Sequence, residues 1–131
     1  MKWLVRLVIT LAVCVGSLKV SVFDRDFDGP IEDHAKYLAD FFDQRAPYEY
    51  DGITHYDAEA DGRVLILRSE GDFGENIKTD EATMTRLMRP LVCNDKPRKF
   101  VEAGGVLRIE ARDRLTHYEL PAAKVAYCGE T

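Results

Sequence analysis

The sharpest chemical motif in the chain is Asp24-x-Asp26-x-Asp28-Gly29. Oxygen ligands at positions 1, 3 and 5, followed by a glycine for the sharp turn, open a calcium loop. Ile31 falls at the hydrophobic position 8 and Glu32 at position 9. Position 12, where a bidentate glutamate closes such loops, is Ala35, and only an apolar segment precedes the motif. Asp24, Asp26, Asp28 and Glu32 therefore form a candidate calcium set, against the plainer reading of an acidic spacer leading into a helix. No other cofactor is implied.

Histidine and cysteine offer less. His34, His55 and His117 have no second histidine at i+2, i+3 or i+4, so none belongs to a local metal motif. Asp72-Phe73-Gly74 matches the magnesium triplet of protein kinases, but no glycine-rich loop, strand lysine or HRD segment accompanies it. Cys14 lies in the apolar N-terminal segment, which leaves Cys93 and Cys128. Two cysteines without CxxC spacing cannot complete a tetrahedral metal shell and do not make a redox pair. In an exported domain they are expected to form one structural disulfide. With that pair closed and no GxSxG present, the usual nucleophiles run out. The reading is non-enzymatic, with a small hydrolase as a lesser alternative.

A third constellation needs a surface rather than a reaction. His55, Asp57, Arg68, Arg108, Glu110 and Arg112 fall where strands would display them on one wet sheet face, with Tyr48, Tyr50 and Tyr118 nearby. Arginine and tyrosine are favoured at protein interfaces, and charged faces speed encounter with a complementary partner. A solvated face with routine ion pairs is the competing account.

The elements that must position these residues can be read in order. Pro30 suits the start of a helix, and Glu32 and Asp33 suit its first turn, where the dipole favours acids. Ile31, Ala35, Leu38 and Phe42 recur at helical spacing to about Arg45, and Pro47 ends the helix. Two strands, Tyr48 to Ala58 and Arg63 to Glu70, flank Asp61-Gly62, a type I′ hairpin signal. Pairing Ala60 with Arg63 puts Ala58 opposite Leu65, and His55 on the wet face beside Arg68. A second helix starts near Thr79 or Asp80, carries Met84, Leu87, Met88 and Leu91, and is kinked or ended by Pro90. A short third helix, about Lys96 to Ala103, closes at Gly104-Gly105. Val106 to Arg112 alternates as a strand, and Leu115 to Leu120 and Lys124 to Cys128 return. The order α-β-β-α-α-β-β predicts an α+β fold. It would hold an antiparallel four- to five-stranded sheet with two to three helices on one face.

Charge places the domain in the cell. The first 23 residues carry Lys2, Arg6 and Lys19 and no acid; the rest carry 15 bases and 23 acids, a balance of −8. Leu7 to Leu18 is uncharged and mostly apolar, about 18 Å of helix against a hydrocarbon core of about 30 Å. This is the pattern of a signal peptide, with cleavage after Ser17, an uncleaved anchor and lipidation at Cys14 as the open routes. Residues 1–23 thus read as an export segment and 24–131 as one exported domain, periplasmic, secreted or anchored. Acidity disfavours nucleic acid. The expected partner is another envelope or exported protein, with membrane contact only through the N-terminal segment. Immunity or inhibitor proteins and secretion accessories share this size, export and lack of catalytic motif. A calcium- or small-ligand-binding periplasmic domain is the alternative.

Overall fold

In a computed structural model, residues 28–50, 52–74, 78–94 and 96–129 are described. Residues 1–23, predicted to be an export segment, and Asp24 and Asp26 lie outside them. Helix α1 spans Ile31–Asp43, with Pro30 in the N-cap position. It buries Ala35, Leu38, Ala39 and Phe42 along the predicted stripe. Strands β1 (Tyr48–Tyr50), β2 (Ile53–Asp61) and β3 (Val64–Gly71) follow as an antiparallel meander. Helix α2 (Glu81–Cys93) is capped by Asp80, whose carboxylate accepts the Thr83 N–H at 2.8 Å. It continues one turn past Pro90 instead of stopping there. The short α3 (Arg98–Glu102) leads into β4 (Val106–Asp113), and β5 (Ala123–Val125) closes the sheet.

The sheet order is β1-β2-β3-β4-β5. All pairs are antiparallel except β3–β4, which run parallel in register from Val64–Val106 to Gly71–Asp113. The predicted α+β class, with a five-stranded sheet and helices on one face, is therefore observed. The parallel centre follows from the α2–α3 crossover, which returns the chain to the starting end before β4. Leu65 and Leu67 of β3 and Leu107 and Ile109 of β4 meet Leu38, Met84, Met88, Val92 and Phe100 from the helices in one core.

Three local details depart from expectation. First, Tyr48 to Ala58 is two strands. Gly52, at φ +82°, lets Tyr48–Tyr50 fold back onto Ile53–His55. Second, the β2–β3 turn centres on Gly62-Arg63, with Asp61 opposite Val64. Positive φ occurs only at Gly62 (+60°), as a type II′ turn requires, and Ala58 therefore pairs with Leu67 rather than Leu65. Third, β2 is bulged at Tyr56, between the pairs His55–Ser69 and Asp57–Arg68. Inward positions are odd before the bulge (Ile53, His55) and even after it (Ala58, Ala60), because one extra residue reverses the alternation.

The return after β4 is not a full strand. Arg112 and Glu119 form a single bridge before β5 pairs with Leu107–Ile109. The turn is organised by Asp113, only 4% exposed. One carboxylate oxygen accepts the N–H groups of Phe73 and Gly74, and the other accepts from Leu115 N–H, Thr116 N–H and the Thr116 hydroxyl. Hydrogen bonds from the Thr116 and Gly74 amides hold its pKa down to about 2. The Cys93–Cys128 disulfide is present, with a Cα–Cα distance of 5.5 Å. Among the described residues no helix is long and apolar enough to cross a membrane.

Candidate interaction face

The face of the sheet turned away from the helices is built from alternate residues of three strands. Parallel register puts Arg68 beside Glu110 and Glu70 beside Arg112, and the antiparallel register downstream of the bulge puts Asp57 beside Arg68. Arg68 sits at the centre. Its guanidinium donates to Asp57, to Glu59 at 2.7 Å and to Glu110 at 2.9 Å. Burial works against its charge, but the hydrogen bonds it donates to Glu59, Asp57 and Glu110 outweigh this and raise its pKa. Arg108 donates to the other oxygen of Glu110 at 2.7 Å and reaches Glu81, at the first turn of α2, at 3.3 Å. Burial would raise the Glu110 pKa, yet hydrogen bonds from Arg108 and Arg68 bring it below the usual carboxylate range. Arg112 pairs with Glu70 at 2.7 Å while its guanidinium lies 4.1 Å over the Tyr56 ring.

A groove of about 990 Å³ runs over this network. Arg68, Arg108 and Arg112 line its floor, Asp80 and Glu81 one wall, and Tyr118 to Ala122 the other. The Thr79 hydroxyl, also in its lining, is shielded from solvent without a hydrogen-bond partner. Such a concavity of fixed charges on rigid strands suits recognition of a polar surface. It holds no nucleophile with an adjacent base, and among the described residues no cluster of ligating side chains could hold a metal ion.

Of the predicted surface residues, Asp57, Arg68, Arg108, Glu110 and Arg112 are brought together, and His55 is not. The Tyr56 bulge turns His55 to the helix side, opposite Ser69, where it is 7% exposed. Its ring stacks on Tyr48 with centroids 4.8 Å apart, its Nε2 has no hydrogen-bond partner among the described residues, and burial lowers its pKa to about 4. His34 is also buried, edge-on to Phe100, and burial lowers its pKa. His117 is exposed at φ +61° on the β4–β5 connection. Of the candidate calcium set, Asp28 and Glu32 are exposed, and Asp24 and Asp26 fall outside the described residues. Tyr48 is drawn away by its stack on His55, while Tyr118 stays in the groove lining. Glu59, Glu70 and Glu81 complete the network and were not anticipated. The i, i+2 spacing of Asp57 and Glu59 in β2 and of Arg68 and Glu70 in β3 carries the signal for the first two. Only the folded crossover brings in Glu81.

No family model matches the chain, and no curated protein matches its sequence. Solved structures do match in shape. The pilotin EpsS of the Vibrio vulnificus type 2 secretion system superposes with a TM-score of 0.61 at 15% identity, over 77% of this chain and 94% of that one. The two proteins share a fold. The type II secretion system pilotin AspS of Vibrio cholerae gives 0.56 at 19% identity, over 72% and 87% of the two chains. A Pseudomonas aeruginosa protein gives 0.59 at 13% identity over the same shares.

Proposed function

We propose that this chain is an exported, non-enzymatic interaction domain that serves as an accessory to a secretion machine by binding another envelope protein. The observation that carries the reading is the fold. It is shared with secretion-system pilotins over 94% and 87% of their lengths. The ion-paired face supports it, since a preformed charged groove favours specific, fast encounter over tight burial of apolar area. The basic, apolar leader and the disulfide fit an oxidising compartment outside the cytoplasm.

The test is genetic and direct. A strain lacking the gene is compared with its complemented parent for proteins released to the medium. Loss of one or more exported proteins, restored by the intact gene and not by a chain lacking residues 1–23, is the expected result. An unchanged set of released proteins would remove the accessory role.

A further inference from the structure

β1 is three residues long and pairs only with Ile53–His55. Beyond the Tyr56 bulge, β2 runs on to Asp61 with β3 on one side and, among the described residues, no strand on the other. The two-residue turn closes on Asp61–Val64. Antiparallel alternation therefore points the backbone groups of Asp57, Glu59 and Asp61 toward β3, and those of Ala58 and Ala60 outward. Among the described residues, no backbone or side-chain group outside the sheet bonds to them. An unpaired stretch of strand is a template for another chain. Here it lies in a groove of about 620 Å³ between β2 and α1.

The groove is charged on both walls. Glu32, Asp33 and Asp40 of α1 and Asp57 and Glu59 of β2 line it, against Lys36 alone. Asp61 continues the acidic row at the end of the strand. We propose that this edge receives an extended, basic segment of a partner protein as an added strand, in line with β1. The proposal rests on the interaction reading above only in supposing that a partner exists. Strand addition supplies main-chain hydrogen bonds at Ala58 and Ala60. Lysine or arginine on the incoming strand would stand across from Asp57, Glu59 and Asp61 as cross-strand pairs. A second copy of this chain is disfavoured as the occupant, because like charges would then face each other along the edge.

The probe is an octapeptide of four Lys-Val repeats, with four Glu-Val repeats as control, added to the full chain with its disulfide formed. Amide hydrogen exchange is read residue by residue. The Lys-Val peptide is expected to slow exchange at Ala58 and Ala60 about tenfold or more. Asp57 and Glu59, already in the β3 ladder, should change little, and added salt should weaken the effect. The Glu-Val peptide should do nothing. Glu59→Lys with Asp61→Lys should abolish protection, and Asp61→Asn alone should reduce it. Unchanged exchange at Ala58 and Ala60, equal protection by both peptides, or protection confined to the Arg68 face would each overturn the proposal. The two readings fail separately. Normal secretion in the deletion strain refutes the accessory role with the edge still protected. Failure of the peptide refutes the edge while the secretion defect stands.

Discussion

His55 makes the stability of this domain depend on pH in a calculable way. Its folded pKa is about 4, against about 6.5 for an ordinary imidazole, because burial on the helix side of the sheet penalises the charged form. Between these values the unfolded chain binds a proton that the folded chain refuses, so stability falls as the pH drops. It is fully present above about 6.5 and is lost progressively toward 4. The whole span corresponds to about 3 kcal/mol, and the loss at pH 5 is about 2 kcal/mol. His55→Phe keeps a ring of similar shape against Tyr48 and strands no partner, since Nε2 has none. Urea unfolding of both proteins between pH 4.5 and 7.5, with the disulfide intact, isolates the effect. The lowered pKa of His34 is common to both and cancels. The wild-type midpoint should fall relative to the variant by roughly 1 M urea between pH 7.5 and pH 5. Parallel pH profiles would refute the burial argument and place His55 in solvent.

Other outcomes follow from single contacts. Cys93→Ser with Cys128→Ser should cost about 3–4 kcal/mol in the chain-entropy account of a bridge spanning 35 residues, read as a lower Tm matched by adding reductant to wild type. Gly105→Ala should destabilise by about 1–3 kcal/mol in chemical denaturation, because its methyl carbon would lie 2.4 Å from the buried Phe100 ring. Asp113→Asn should lower Tm at neutral pH by weakening the five hydrogen bonds its carboxylate accepts. It should also flatten the acid limb, since a carboxylate held near 2 loses its stabilisation as pH falls from about 4 through 2.

Much of the fold was legible because it is written in local patterns. The α1 stripe, the Asp80 cap and the alternation of β4 each express one period or one capping rule, and tertiary packing agrees with them. The disulfide was legible by elimination, once Cys14 was assigned to the export segment. What escaped depends on geometry that pattern does not encode. The bulge at Tyr56 is one residue of extra backbone, yet it decides which face His55 occupies. A period-2 reading carried through it places every residue upstream on the wrong side. Asp51-Gly52 carries the same turn signal as Asp61-Gly62, but the strand it creates is only three residues long, so the run from Tyr48 read as continuous. Asp113, between the expected strands Val106 to Arg112 and Leu115 to Leu120, organises the turn between them. That it also anchors Phe73 and Gly74, some forty positions earlier, follows only from the parallel register of β3 and β4.

That central parallel pair divides the molecule along its chain. Among the described residues, those before Asp72 form one local unit, α1 with the β1–β3 meander, and those after Lys78 form another, α2 and α3 with β4 and β5. Cys93 and Cys128 both belong to the second unit, so the covalent bridge closes on itself and does not tie the halves together. Their union rests on the β3–β4 ladder, the Arg68–Glu110 and Glu70–Arg112 ion pairs, the shared helix-side core and the reach of Asp113 across the seam. A single protease cut in the 72–78 connection would leave two chains held by non-covalent contacts alone. The two units are in effect non-covalent partners joined by a single stretch of chain.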